Sequence, residues 1–175
     1  MSTVGAAAGP YPCEPPIALV VEHDPWIRLV MCDVLAQAGF RVASASNGFS
    51  AVRLARREPL ALVVLDLVLP EQSGLSVLAE LKATPATARV PVIVISGHPQ
   101  ALRDAVTQAD AVIAKPFGTD TLLAEVSRSR QRAVNPRGRS AVGDAPHLPR
   151  SARESPGNGD GFSPGCGPAL VRVWT

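Results

Sequence analysis

The sequence predicts an α/β fold in which helices cover both faces of a parallel sheet. Over residues 17–130, short continuous apolar runs alternate strictly with longer segments that carry apolar residues at helical spacing. Such alternation implies right-handed crossovers and strands buried on both sides. Gly and Pro concentrate outside this segment, which marks it as the folded part of the chain.

The predicted strands are short apolar runs, of which LALVVL at residues 60–65 is the most apolar. The first run, IALVV, is also apolar throughout, as expected for a strand buried on both faces. The five predicted strands are residues 17–21, 41–46, 60–65, 91–95 and 111–114.

The predicted helices carry apolar residues three and four positions apart. In the first helix these are Ile27, Val30, Met31, Val34 and Ala38, and Gly39 is a stop signal directly after it. The five predicted helices are residues 25–38, 50–57, 75–83, 102–108 and 119–130.

Composition divides the 175 residues into three parts. Residues 17–130 hold five glycines and seven prolines in 114 positions, whereas residues 131–175 hold seven glycines and six prolines in 45. We therefore expect residues 17–130 to form one domain. Residues 1–16 are expected to be a flexible N-terminal segment and residues 131–175 a disordered Gly/Pro/Arg-rich tail.

Charge and cysteine usage exclude several classes of protein. The net charge of +2 is too small for a dedicated polyanion binder. The chain contains no uncharged apolar stretch of roughly 18 residues and no secretory signal pattern at its start. Three widely separated cysteines, Cys13, Cys32 and Cys166, form no metal spacing or disulfide framework, which suits a reducing cytosol.

Polar side chains follow the predicted strands. Glu22, His23 and Asp24 follow the first strand, Asp66 the third, Ser96 the fourth, and Lys115 with Pro116 the fifth. The carboxyl ends of parallel strands meet at one edge of a sheet, where sites of this fold class lie. Clustered carboxylates favour a hard cation such as Mg²⁺. A carboxylate beside such a cation can attack a phosphoryl group, whose oxygens an ammonium and a hydroxyl can hold.

These segments resemble the receiver domain of bacterial two-component response regulators. The resemblance covers roughly residues 17–130 and rests on ALVVEHDPWIR, VVLDLVLPEQSGL, VPVIVISG and AKPF. The intervals agree: 44 residues separate Glu22 from Asp66, 30 separate Asp66 from Ser96, and 19 separate Ser96 from Lys115. The resemblance implies a flavodoxin-like, doubly wound sheet of five parallel strands with five helices.

The resemblance also implies a role for each matching residue. Asp66 corresponds to the phosphoacceptor, Ser96 to the switch hydroxyl and Lys115 to the phosphoryl-binding lysine. Glu22, Asp66 and the backbone carbonyl of Val68 correspond to ligands of Mg²⁺. The bond from Lys115 to Pro116 corresponds to the family's cis peptide.

His23 departs from the family pattern, because an aspartate that binds Mg²⁺ directly normally occupies its position. Imidazole is a poor Mg²⁺ ligand, so we expect Mg²⁺ affinity to be weakened. Three interpretations stay open: Asp24 replaces the missing carboxylate, His23 binds a softer metal such as Mn²⁺ or Zn²⁺, or the domain acts with impaired or no phosphorylation. Asp24 before Pro25 is also a good helix N-cap.

Two further departures concern output. Val112 stands where receivers often carry an aromatic partner of the switch hydroxyl, and the interval from Ser96 to Lys115 is about three residues short. The fourth helix, which many receivers use to dimerise, is therefore expected to differ, and monomer and dimer stay open. Trp26 and Leu29 lie off the inward stripe of the first helix, in a region that packs on the kinase in this family.

The expected function follows from the resemblance. A single-domain cytoplasmic response regulator would accept phosphate on Asp66 from a sensor histidine kinase or histidine phosphotransfer protein and would contact a downstream protein. Residues 131–175 show no DNA-binding motif, so neither direct DNA binding nor membrane association is expected. The alternative is a degenerate receiver that acts as a phosphorylation-independent interaction module. An aspartyl phosphatase is a weaker third possibility, because Val68 stands where that class carries a second aspartate.

Overall fold

The computed structural model describes residues 14–134 and 172–173 of the chain. Strands and helices alternate strictly up to residue 134, which confirms the predicted α/β class. The strands are β1 (Ile17–Val21), β2 (Arg41–Ala45), β3 (Leu60–Asp66), β4 (Val92–Ser96), β5 (Ala111–Ala114) and β6 (Arg172–Val173). The helices are α1 (Pro25–Gln37), α2 (Gly48–Ala55), α3 (Gly74–Ala83), α4 (Pro99–Ala105) and α5 (Thr119–Val134).

All strand pairs are parallel, and the order across the sheet is β5-β4-β3-β1-β2-β6. The central strands are apolar because both of their faces are covered. Alternate residues of β1 supply two cores. Ala18 and Val20 pack with α1 and α5, whereas Ile17, Leu19 and Val21 pack with α2, α3 and α4.

The helix starts follow local capping rules. The Asp24, Asn47 and Ser73 side chains each accept a backbone N–H at the start of α1, α2 and α3 respectively. Proline occupies the first turn of α1 and of α4. In α4 this proline is Pro99, so the helix begins three residues before the predicted start.

The inward stripe of α1 differs from the predicted one. Ile27 and Val30 were expected to face the core, but they are 37% and 52% exposed. The buried residues of this helix begin at Met31 and continue with Cys32, Val34 and Leu35. Because α1 starts beside the end of β1, its first turns stand at the edge of the sheet, and only its later turns reach the core.

The C-terminal part of the chain differs from expectation in two places. Helix α5 continues four residues past the predicted domain border, to Val134. Arg130 donates to the Ala38 carbonyl at 2.6 Å, and Arg132 donates to the Asp110 carbonyl at 3.1 Å. β6 pairs with β2, with Ala43 opposite Arg172, which adds a strand within the expected disordered tail. Residues 1–13, 135–171 and 174–175, which include most of both expected flexible segments, lie outside the described residues.

No helix in the described part of the chain combines the length and apolar character that crossing a bilayer requires.

The start of α3 packs directly against the end of β3. A Cβ atom at Gly74 would lie 2.5 Å from the Asp66 carbonyl oxygen and 2.5 Å from the Leu67 Cα. Both neighbours are main-chain atoms, which cannot turn aside as a flexible side chain could. Glycine at this position therefore allows the helix to approach the strand that ends in Asp66.

We expect Gly74→Ala to lower the free energy of unfolding by about 1–3 kcal/mol, because the added methyl group overpacks this contact. Gly118→Ala is the control, since a Cβ there meets nothing within 4 Å. Gly118 directly precedes α5, where alanine caps a helix less well than glycine, so this change should lower the free energy of unfolding by no more than about 1 kcal/mol. Urea unfolding followed by circular dichroism measures both values. Equal stability of the two variants would contradict the close approach.

Candidate functional site

Four strands deliver polar residues to the carboxyl edge of the sheet. Asp66 and Ser96 are the last residues of β3 and β4, Glu22 follows β1, and Lys115 follows β5. β3 lies between β1 and β4, so Asp66 is central in the group. The edge predicted from the sequence is therefore the place where the chain brings these four residues.

The Lys115 ammonium joins two buried carboxylates. Its Nζ donates to Glu22 Oε2 at 2.7 Å and to Asp66 Oδ2 at 2.8 Å. Glu22 is 0% exposed and Asp66 is 1% exposed, so the ion pairs with Lys115 offset the cost of burying the two carboxylates. Burial lowers the pKa of Lys115, but the hydrogen bonds to Asp66 and Glu22 outweigh it and hold the pKa above its usual value.

His23 lies beside the two carboxylates that Lys115 joins. Its Nδ1 lies 3.0 Å from Glu22 Oε1 and 3.6 Å from Asp66 Oδ2. The imidazole is 47% exposed, so one side of the group is open to solvent. Ligand atoms of Glu22, His23 and Asp66 all lie within 4.8 Å of one another.

Asp24 does not turn toward the group. Its Oδ1 accepts the backbone N–H of Trp26 at 2.8 Å and of Ile27 at 3.0 Å. The Ile27 hydrogen bond is the main cause that holds the pKa of Asp24 below its usual value, and the Trp26 hydrogen bond adds to it. The Asp24 carboxylate is therefore the N-cap of α1, and only its backbone N–H reaches Glu22 Oε1, at 3.0 Å.

Backbone groups complete the surroundings of Asp66 and Ser96. The Val68 N–H donates to Asp66 Oδ1 at 3.0 Å, which places the Val68 main chain beside the carboxylate. Ser96 is fully buried, and its Oγ accepts the His98 N–H at 3.1 Å. The Ser96 carbonyl accepts the Lys115 N–H at 2.9 Å. The Lys115–Pro116 bond is cis, the form that the resemblance implies.

Arg28 is a residue of this region that the sequence interpretation did not single out. Its guanidinium donates to the Glu22 carbonyl at 2.6 Å and to the His23 carbonyl at 3.1 Å. It therefore ties α1 to the loop that holds two members of the group. A long basic side chain six residues after Glu22, on the following helix, was the available signal.

An apolar surface borders the group. Trp26, Ile27, Leu29 and Val30, in the first turns of α1, are all exposed, Trp26 to 76%. Residues three and four positions apart on a helix share a face, so these side chains form one patch, which we call the α1 patch. It contains Trp26 and Leu29, the two residues predicted to lie off the inward stripe.

The donor set fits Mg²⁺ only in part. Carboxylate oxygens suit a hard cation, but the third donor in reach is an imidazole nitrogen, which Mg²⁺ accepts poorly. Lys115 also neutralises one of the two carboxylate charges. The ligand chemistry of Glu22, His23 and Asp66 is therefore a poor match for Mg²⁺.

Comparison with known proteins identifies the family. A model described as response regulator receiver domain matches residues 18–127, and the chain belongs to this family of signalling domains. Chemotaxis protein CheY of Bacillus subtilis is 33% identical over 114 residues, which are 63% of this chain and 94% of CheY. Transcriptional regulatory protein KdpE of Mycobacterium tuberculosis is 35% identical over 120 residues, and the chain spans 51% of KdpE.

Solved structures agree with the family and the fold. The receiver domain of a sensor histidine kinase from Pseudomonas aeruginosa is 29% identical and superposes with a TM-score of 0.61, over 65% of this chain and 96% of that domain. That structure holds a magnesium ion coordinated in its active site cleft. The predicted receiver family and fold class are thus confirmed.

The capping role of Asp24 predicts how stability responds to substitution. Asp24→Ala should lower the urea midpoint at pH 7, whereas Asp24→Asn should stay near the wild type because asparagine also caps helices well. The pKa of the Asp24 carboxyl is lower in the folded chain than its ordinary value. Its charged form therefore stabilises the fold above that pH, and the stabilisation is lost as the pH falls through the folded pKa.

Urea unfolding of the wild type and both variants at pH 7 and pH 3 measures this effect. The difference between the wild type and Asp24→Ala should shrink at pH 3. A loss of stability in Asp24→Asn as large as that in Asp24→Ala would contradict the capping assignment.

Proposed function

We propose that the protein is a single-domain response regulator in a phosphorelay. Asp66 accepts a phosphoryl group from a histidine kinase or a histidine phosphotransfer protein, and the phosphorylated domain signals through contacts with a downstream protein. The observation that carries the proposal is the Lys115 ammonium, which lies 2.8 Å from Asp66 Oδ2 at the carboxyl edge of the sheet. The proposal places the protein in the cytoplasm, as its scattered cysteines suggest.

The transfer forms a bond between a carboxylate oxygen of Asp66 and phosphorus, while the bond from phosphorus to the donor's imidazole nitrogen breaks. Lys115, already bound to Asp66 Oδ2, supplies positive charge for the incoming phosphoryl oxygens. The Val68 N–H donates to the other oxygen, Oδ1, and so orients the carboxylate. In this proposal the Ser96 hydroxyl binds a phosphoryl oxygen after transfer.

The response would spread from Ser96 and Lys115. The two residues are joined by a backbone hydrogen bond of 2.9 Å, so rotation of the Ser96 side chain toward a phosphoryl group would bias the neighbouring α4 and β5 face between two conformations. Val112 lies on β5, opposite Val94 of β4. A valine has no aromatic ring to follow the switch hydroxyl, so the coupling would differ from the aromatic type.

Mg²⁺, the metal expected from the family, would have Glu22, Asp66 and the Val68 carbonyl as oxygen ligands. His23 weakens this set, because its imidazole stands where a third oxygen donor is needed. No step above is therefore assigned to Mg²⁺.

A specific observation favours a second candidate function. His23 Nδ1 lies 3.0 Å from Glu22 Oε1, and the Asp24 carboxylate caps α1 instead of replacing the missing aspartate. If the weakened metal site abolishes transfer, the domain acts as a degenerate receiver that recognises its partner without phosphate. The two candidates differ in whether Asp66 is modified.

The α1 patch is the proposed docking surface for the phosphodonor. Its apolar side chains adjoin the site entrance, where His23 is half exposed. A donor that covers them would bring its phosphohistidine to the open side of the group, and large exposed apolar patches commonly mark protein interfaces.

Phosphorylation of Asp66 is tested by incubating the chain with acetyl phosphate and Mg²⁺ and measuring its intact mass. We expect one added phosphoryl group on the wild type, none on Asp66→Asn, and faster modification of His23→Asp, because aspartate restores an oxygen ligand. Modification of His23→Asp but not of the wild type would instead support the degenerate receiver. Equal modification of the wild type and Asp66→Asn would contradict Asp66 as acceptor.

The docking surface is tested by comparing two donors. Trp26→Ala with Leu29→Ala should slow phosphotransfer from a histidine kinase of the same genome by about tenfold or more, as truncation of a hot spot does. Modification by acetyl phosphate should be unchanged, because that donor needs no protein contact.

Phe49→Ala is the matched control, since Phe49 is 66% exposed and lies on α2, which packs on the opposite face of the sheet from α1. Phosphotransfer from the kinase to this control should match the wild type. An unchanged rate for the α1 variant with the same kinase would contradict the docking role.

A further inference from the structure

We infer that Glu22, His23 and Asp66 form a metal site that binds Zn²⁺ in preference to Mg²⁺. Zn²⁺ stands here for the divalent metals that accept an imidazole ligand. The inference deepens the proposed function, on which it rests for the role of Asp66.

The spacing of the donor atoms supports a shared metal. Neighbouring ligands of a metal with bonds of about 2.1 Å are about 3.0 Å apart in octahedral and about 3.4 Å apart in tetrahedral geometry. His23 Nδ1 lies 3.0 Å from Glu22 Oε1 and 3.6 Å from Asp66 Oδ2. The two His23 distances are close to these separations, and the ligand atoms of all three residues lie within 4.8 Å of one another.

The types of donor decide the preference. Imidazole and carboxylate are both donors that zinc accepts, and three protein ligands with a position open to water match in number the zinc sites that keep an exchangeable water. The half-exposed His23 leaves such a position on the solvent side. Mg²⁺ gains little from a nitrogen donor, whereas the affinity of such a site for first-row metals rises toward copper and zinc.

Charge at the site also favours Zn²⁺ over Mg²⁺. Glu22 and Asp66 contribute two negative charges, and Lys115 contributes one positive charge at 2.7 and 2.8 Å. A hard cation, held mainly by electrostatic attraction, loses more from this partial neutralisation than a metal that also bonds to nitrogen. On Glu22, Lys115 binds Oε2, and Oε1 accepts the Asp24 N–H at 3.0 Å. A carboxylate oxygen has a second lone pair, with which Oε1 can still bind a metal.

Neither of two neighbouring residues, Asp24 and Cys32, replaces His23 as the third ligand. The Asp24 carboxylate is bound to two backbone N–H groups at the start of α1. Cys32 is buried in the core between the sheet and α1, where desolvation raises the pKa of its thiol to about 11. His23 is therefore the residue that distinguishes this site from one built of oxygen donors alone.

Metal titration of the full chain tests the inference. The protein carries Cys13→Ser and Cys166→Ser, since free thiols bind zinc by themselves, and it is freed of metal with a chelator. Calorimetry at one pH measures the dissociation constants of Zn²⁺ alone and of Mg²⁺ alone. We expect His23→Ala to weaken Zn²⁺ binding by about tenfold or more, and His23→Asp to shift the ratio of the two constants toward Mg²⁺ by about tenfold or more.

His98→Ala is the matched control, because His98 is another exposed histidine of the same edge and is not in the cluster. It should leave both constants unchanged, and thermal unfolding in chelator should show that all variants fold. Equal Zn²⁺ affinity of the wild type and His23→Ala, or an unchanged ratio in His23→Asp, would overturn the inference. Failure of acetyl phosphate to modify Asp66 with zinc binding intact would overturn the proposed function alone.

Discussion

The ammonium of Lys115 is the contact on which the site depends. Glu22 and Asp66 are buried, and two negative charges in contact with the same ammonium repel each other strongly in a medium of low polarity. Lys115 reaches both, at 2.7 and 2.8 Å, and its positive charge offsets their repulsion where water cannot solvate them. Its own pKa is raised by the same bonds despite its burial. The proposed phosphoryl transfer to Asp66 would rely on this compensation.

The sheet makes that contact possible. Lys115 lies 93 residues from Glu22 and 49 from Asp66 along the chain, yet parallel strands bring all three to one edge. The sheet order places β3 between β1 and β4, and the glycine at the start of α3 lets that helix approach the end of β3 closely. Two apolar cores, one on each face of the sheet, stabilise this arrangement. The geometry of the site thus follows from how the sheet is packed.

His23 gives the chain its individual chemistry within the receiver family. It occupies the side of the cluster that opens to solvent, and its imidazole contacts the same two carboxylates that Lys115 joins. Arg28 and the capped start of α1 hold the loop that presents it. The proposed metal preference would rest on this single position, because burial and ion pairing hold the rest of the cluster. The apolar start of α1 lies beside it, so the metal and the donor protein would meet at one opening.

The sequence by itself determined the class of the fold and the members of the site. Apolar runs alternating with helical spacing predict parallel strands, and polar residues directly after those runs identify Glu22, Asp66, Ser96 and Lys115, because both signals are local. The exposure of Ile27 and Val30, the role of Arg28, the position of Asp24 and the pairing of Arg172–Val173 with β2 were decided by the tertiary structure. A helical pattern specifies which residues share a face, but only packing decides how far the core extends beneath it. Likewise, the order of the strands and the reach of each side chain depend on contacts between segments distant in sequence, which no local pattern contains.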